Sequence, residues 1–168
     1  MEEPKLILTV KNNKNNKCII EILNRLFLKD INSRAEEVVK NVILVYTSLS
    51  PIIAYGLIIS APPSCVSKIY PIDFSVNTIN EQDIITYFVK YIKEKNGTFK
   101  TFYVDCYDRG VKVNCREIEI GIGIGLKDLA KVNFEKPDKV IVVNVVKDSA
   151  YLSIINKGQE KVSVNSLR

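Results

Sequence analysis

Apolar residues fall into short blocks along the chain, separated by polar stretches rich in Asn, Pro and Gly. Lys5–Val10 (Lys-Leu-Ile-Leu-Thr-Val) reads as a strand, followed by a polar Asn/Lys loop over Lys11–Lys17. Across Cys18–Leu28, Ile19, Ile22, Leu23, Leu26 and Phe27 recur at helical spacing. Val38–Tyr46 predicts a second strand, nearly all apolar at its end and therefore central. Ser50–Ala61 predicts a second helix, with Ser50 at the N-cap and Pro51 at the first helical position. Val66–Tyr70 is a third short strand before Pro71. The order β-α-β-α-β predicts a small ferredoxin-like unit.

Pro71–Asn80, with Asp73, Ser75, Asn77 and Thr78, carries turn and linker residues and places a boundary there: one domain over 1–74 and a second over 75–168. Beyond it, Asn80 caps a helix whose face is Ile84, Ile85, Phe88, Val89 and Ile92, stopped at Asn96-Gly97. Thr98–Asp105 predicts a strand and Asp108-Arg109-Gly110 a turn or bulge, where glycine gives the backbone its freedom. Ile118, Ile120, Ile122 and Ile124 alternate strictly, so periodicity alone permits a strand. Asn114-Cys115-Arg116-Glu117, a capping box, decides for a helix running to about Ala130. Val140–Val146 and Ala150–Ile155, joined at Lys147-Asp148-Ser149, predict a hairpin. The residues from Gly158 on are an added edge strand or a loose tail. The fold class is α/β (α+β).

Composition narrows the chemistry. Of 168 residues, 46% are hydrophobic, enough for a packed core. The net charge of +5 is compatible with a nucleic-acid partner. Residues 1–80 carry 9 basic and 7 acidic side chains and residues 81–168 carry 15 and 12, so any such site is a local patch rather than a polybasic tail. No histidine is present, which removes Ser-His and Cys-His nucleophiles and His-ligated zinc. Cys18, Cys65, Cys106 and Cys115 form no CxxC pair, so no structural metal is expected. Cys106 and Cys115 flank a turn and can meet as a disulfide, but buried free thiols are the better reading. The acidic N-terminus is unlike a signal peptide, and the apolar run Pro51–Pro63 is too short to span a bilayer. A cytoplasmic protein without a membrane partner is expected.

Gly121-Ile-Gly-Ile-Gly125-Leu-Lys127 invites a nucleotide-binding assignment, but its glycines fall inside the helix rather than in a strand–helix turn. Gly121 and Gly125, four apart, instead let another element approach one helix face. Arg109 and Arg116 are the leading functional residues. Two readings stand: they converge on one phosphate beside a helix N-terminus, or they pair locally, Arg109 with Asp105 or Asp108 and Arg116 with Glu119. Lys112 extends the patch or serves solubility. Lys127 and Lys131 share a helix face that touches phosphate or only solvent. Tyr103 and Tyr107 stack on a base or pack at the strand edge. Lys11, Lys14 and Lys17 form a second basic cluster, an RNA contact or a solvated loop. No constellation of catalytic groups is evident, and neither a cofactor nor an enzyme activity is expected.

The ordered set Arg109-Gly110, Asn114-Cys115-Arg116-Glu117, Gly125, Val132-Asn-Phe-Glu-Lys-Pro137-Asp138 and the hairpin Val140–Ile155 resembles the THUMP domain of tRNA-modifying enzymes and their partners. The resemblance covers roughly Thr78–Ile155, and the preceding unit is similar to the ferredoxin-like domain that accompanies THUMP. It implies binding of tRNA at the acceptor stem and 3′ end, through Arg109, Gly110, Lys112, Arg116, Lys127 and Lys131. It further implies a non-catalytic adaptor that serves an acetyltransferase-like tRNA modification enzyme in trans, cytidine acetylation being the nearest case. The alternative is a protein-interaction scaffold of ferredoxin-like fold without RNA binding.

Overall fold

The computed structural model describes residues 2–11, 15–95 and 98–162. Lys14 and the expected helix stop at Asn96-Gly97 lie outside them. The chain divides into two compact units: residues up to Ile72 together with those from Gly158 onward, and Asp73–Lys157.

The first unit runs β1 (Leu6–Val10), α1 (Asn15–Leu26), β2 (Arg34–Val39), β3 (Val42–Tyr46), α2 (Pro51–Ile59) and β4 (Val66–Pro71). Its sheet has the order β2-β3-β1-β4 with every neighbour antiparallel. This is the β-α-β-β-α-β ferredoxin-like arrangement, so the expected β-α-β-α-β order is corrected by one strand. The single strand expected over Val38–Tyr46 is two strands, β2 and β3, that meet at Lys40-Asn41. Asn41 takes φ 64°, a conformation Asn tolerates in tight hairpin turns. β2 escapes the apolar pattern because it is an edge strand with exposed Glu36 and Glu37. Helix α1 starts at Asn15, earlier than expected, so Lys17 is helical. It buries Cys18, Ile22 and Leu26, four residues apart, against a core that includes Leu6, Leu8, Ile43 and Val45. Ser50 caps α2 by accepting the Ile53 N–H, as its sequence predicts.

The second unit runs β5 (Phe74–Val76), α3 (Glu81–Glu94), β6 (Thr101–Arg109), α4 (Cys115–Gly125), β7 (Lys131–Val132), β8 (Lys139–Val146) and β9 (Ser149–Ile155). Its sheet has the order β5-β9-β8-β6-β7, with β6 parallel to both β7 and β8. β5 lies within the stretch expected to be linker, where it pairs with β9. The expected β8–β9 hairpin is present, with Lys147 at φ 56° in its turn. The residues Gly158–Val162 return to the first unit instead of extending the second. There the Ile69 N–H donates to the Glu160 carbonyl at 2.9 Å and the Tyr55 hydroxyl to the Gln159 carbonyl at 2.8 Å.

The Ile-X-Ile-X run of α4 resolves into two helix faces. Ile118 and Ile122 are buried in the core, whereas Ile120 and Ile124, two residues out of phase, are exposed. Gly121 and Gly125 face α3, as expected of them, against Ile85 and Val89. The reading of free thiols is corrected: Cys18 pairs with Cys65 in the first unit and Cys106 with Cys115 in the second, as disulfides. Cys18 sits on α1 and Cys65 just before β4, so sequence spacing of 47 hides a Cα separation of 6.0 Å. Among the described residues no helix is long and apolar enough to cross a membrane.

Candidate functional site

A groove of about 500 Å³ opens on the second unit between α4, the outer edge of β6 and the segment after α4. Helix α4 supplies one stripe at i, i+3, i+4, i+7, i+8 spacing: Arg116, Glu119, Ile120, Gly123 and Ile124, with Lys127 one turn further. β6 supplies Val104 and Asp105, because β7 pairs only with Thr101 and Phe102 and leaves the rest of this edge open. Val132 and Phe134 close the third side.

Phe134 is 67% exposed, yet it is fixed in place. Its ring stacks on Tyr103 at a centroid distance of 5.7 Å and an interplanar angle of 28°. The loop that carries it is an Asx turn: Asn133 Oδ1 accepts the N–H groups of Glu135 (3.0 Å) and Lys136 (3.1 Å). Lys157 Nζ then donates to the carbonyls of Phe134 (3.2 Å) and Glu135 (3.0 Å). A large apolar ring presented to solvent on a doubly tied loop is a platform for another flat group.

The polar groups of the groove are ordered by sign. Arg116 is exposed and pairs with Glu119 at 3.7 Å across one helical turn. Such a surface pair holds Arg116 weakly and leaves it available to an incoming anion. Lys127 is exposed at the far end of the stripe. The carboxylates lie deeper: Glu119 accepts the Cys106 N–H at 3.0 Å, closing one open position of the β6 edge, and Asp105 Oδ2 accepts from the Tyr107 hydroxyl at 3.5 Å.

The residues singled out from the sequence are dispersed by the fold. Arg116 and Lys127 both line the groove. Arg109 is the last residue of β6 rather than a loop residue; its Nε donates to Asn144 Oδ1 at 2.7 Å and its guanidinium lies 5.0 Å from the Tyr107 ring centre. Gly110 follows at φ 70°, and Lys112 is exposed between the strand and α4. Lys131 opens β7, so it does not share a helix face with Lys127 as expected; α4 already ends at Gly125. The start of α4 is occupied by the protein's own carboxylates. Asn114 Oδ1 caps the Glu117 N–H, Glu81 accepts the Asn114 N–H at 2.8 Å, and Gln82 holds the Glu117 carboxylate. The capping box is therefore completed by α3 rather than by Glu117 itself. Phe134, Ile120 and Ile124 were not singled out as site residues; the available signal was a lone aromatic inside a polar turn and isoleucines on the wrong helix face for burial.

Similar proteins are found by fold. No family model and no curated protein matches the chain. PH1313 from Pyrococcus horikoshii superposes with a TM-score of 0.65 at 16% identity, covering 90% of this chain and 54% of its own. A 4-thiouridine synthetase, crystallised with RNA and ATP, gives 0.59 at 18% identity over 90% and 41%. TrmN from Thermus thermophilus gives 0.59 at 13% identity over 89% and 44%. The chain thus spans about half or less of the length of these three structures. The expected α/β (α+β) class, with a ferredoxin-like unit followed by a second α/β unit, is the fold observed. The expectation that the chain is not an enzyme is corrected, because this fold recurs in chains described as a 4-thiouridine synthetase and as "a possible methylase from Clostridium difficile".

Proposed function

We propose that this protein binds RNA, and tRNA in particular, through the groove of its second unit. The observation that carries the reading is Phe134, stacked on Tyr103 and exposed in the groove that Arg116 and Lys127 also line. An aromatic platform flanked by cations suits a single strand: each base offers a π face and each linkage a phosphate. The fold supports it, since one structure that shares the fold was solved as a complex with RNA. Arg116, Lys127 and Lys131 contact phosphates and Lys112 extends the cationic rim, while Arg109 and Gly110 shape the turn that leads into α4. A groove open to single strands fits the unpaired 3′ end of tRNA, which leaves the acceptor stem, better than it fits a duplex. In its finer form the reading makes the protein a tRNA-presenting adaptor for an acetyltransferase-like modification enzyme in the cytoplasm.

The test is binding of bulk tRNA and duplex DNA across a salt series, for the parent and Arg116→Ala/Lys127→Ala. A tRNA preference whose logarithmic salt slope falls by roughly 1.4 in the double variant, about 0.7 per lost single-strand phosphate contact, supports the site. Binding unchanged in the variant moves the RNA surface elsewhere. No tRNA binding leaves a protein-interaction scaffold, to be read by partner capture.

A further inference from the structure

The first unit has an exposed apolar surface of its own, held in place by one carboxylate. Of the six large apolar side chains it exposes among its described residues, five lie on two short segments. Phe27, Leu28 and Ile31 follow α1, and Ile52 and Ile53 stand in the first turn of α2. Leu28 and Ile31 are more than three-quarters exposed, Ile52 and Ile53 more than half. Asp30 ties the two segments together. Its Oδ2 accepts from the Thr47 hydroxyl at 2.8 Å, the Ser48 N–H at 2.8 Å and the Ser48 hydroxyl at 3.0 Å. Its Oδ1 accepts the Asn32 N–H at 3.0 Å, and Ser33 Oγ donates to Thr47 Oγ1 at 3.0 Å. The turn that holds Leu28 and Ile31 is thus fastened to the turn that leads into α2. A backbone fixed in this way cannot fold these side chains inward, and a contiguous exposed apolar patch marks an interaction site.

The size of the patch limits what covers it. Its five side chains expose about as much as three free ones, roughly 200–350 Å² at the area a burial energy of 1.5–3 kcal/mol each implies. A two-fold dimer would use the patch twice, for roughly 400–700 Å². That only touches the lower end of the roughly 700–1,300 Å² of apolar area in a stable interface. One helix with three or four apolar anchors needs no more. Charge narrows the occupant further. Residues 41–67 hold no charged side chain. Asp30 is engaged in the clasp, and Arg34 pairs with Glu2 at 3.1 Å and Glu36 at 3.8 Å. Among the described residues the patch itself presents one exposed charge, Lys29. A single cation on an apolar surface is a poor site for a phosphate backbone and a good mate for one acid beside apolar anchors. The patch is made from helix ends rather than a sheet edge, so its occupant must satisfy its own backbone, as a helix does. We propose that Phe27, Leu28, Ile31, Ile52 and Ile53 form a docking surface for an amphipathic helix of another protein, with an acidic side chain of that helix against Lys29. The surface stands apart from the RNA reading, since none of its residues lines the groove.

The probe is a fluorescein-labelled peptide of about 15 residues, with leucines at i, i+3, i+4 and i+7 and glutamates elsewhere on the helix. A second peptide has the same composition with its leucines spread around the helix, and a third carries lysine in place of glutamate. Each is titrated with the full chain by fluorescence anisotropy. The expected result is binding of the first peptide about ten-fold tighter than of either control, and a loss of about ten-fold or more in Leu28→Ser/Ile31→Ser. Lys29→Glu should turn the preference toward the lysine peptide, a reversal that loss of fold cannot produce. Thermal melting of both variants beside the parent shows that the fold is kept. A first peptide bound no better than its scrambled control, or bound alike by the parent and Leu28→Ser/Ile31→Ser, overturns the proposal. So does a parent that sediments as a dimer and is dissociated by Leu28→Ser/Ile31→Ser, since a second copy then covers the patch.

Discussion

Gly125 of α4 lies so close to Val89 of α3 that a Cβ on the glycine would stand 2.6 Å from Val89 Cγ2. Valine is branched at Cβ and has little rotamer freedom in a helix, so it cannot swing aside. Gly125→Ala should therefore destabilise the protein by roughly 1–3 kcal/mol despite the better helix propensity of alanine. Gly123, on the opposite face, has room for a methyl group. Gly123→Ala should raise stability by roughly 0.5–1 kcal/mol. Urea unfolding of the two variants beside the parent checks both signs; equal effects would mean that helix contact does not set them.

Two carboxylates of the second unit should give stability opposite slopes with pH. The N–H of Asn114, and then the N–H of Glu81 itself, hold Glu81 below its ordinary value of 4.5. Its contribution is present above that value and is lost as pH falls below it. Burial pushes Asp73 above 3.8, against the opposing pull of the Ile154 N–H and Lys139. That contribution runs the other way: it is present below 3.8 and lost as pH rises through the raised value. Melting temperatures from pH 7 to pH 3 should show Glu81→Gln flattening the acid limb. Asp73→Asn, whose amide oxygen still accepts from Ile154, should be more stable than the parent at pH 7 and converge with it in acid.

The two disulfides should contribute unequally. Cys18 and Cys65 are 47 residues apart, Cys106 and Cys115 only 9. Loop closure in the unfolded chain gives about 4 kcal/mol for the longer and about 3 kcal/mol for the shorter. Denaturant midpoints of Cys18→Ser/Cys65→Ser and Cys106→Ser/Cys115→Ser, each against the oxidised parent, measure this. A parent indifferent to a dithiol reductant would contradict it.

Lys157 reaches the groove through the loop that presents Phe134, by hydrogen bonds to the Phe134 and Glu135 carbonyls. Lys157→Ala should lower RNA affinity about three- to ten-fold, since the loop must then be ordered on binding. The melting temperature should barely move. Lys157→Arg, which can still donate to the two carbonyls, should recover most of the loss. A fall in affinity that Lys157→Arg leaves unrescued would indicate a direct phosphate contact instead.

Elements with a strong apolar stripe or a side-chain cap were legible from sequence. α2, α3 and α4 announce themselves through Ser50, Asn80 and Asn114, each of which caps its helix. β2 was not legible, because an edge strand needs no apolar face and Glu36 and Glu37 deny it one. β7 is only two residues long and exposed, defined by the neighbour it pairs with rather than by its own residues. The site was half legible. Arg116 and Lys127 were named from charge and position, but Phe134 draws its role from Tyr103 and Lys157, residues 31 and 23 positions away in sequence, and no local pattern reports such partners. Arg109 illustrates the converse: a polar residue in a turn-like sequence that the strand carries onward to Asn144.

The return of Gly158–Val162 to the first unit makes Asp73–Lys157 a cassette set into the other unit's sequence. Its two ends are neighbours, for the Asp73 N–H donates to the Leu152 carbonyl at 2.8 Å and the Ile154 N–H to the Asp73 carboxylate at 2.6 Å. Only the groove-bearing half is therefore one uninterrupted stretch of polypeptide. Trimming from the C-terminal side would injure the ferredoxin-like half first and leave the groove whole, whereas excising 73–157 and rejoining the flanks would be a minimal graft.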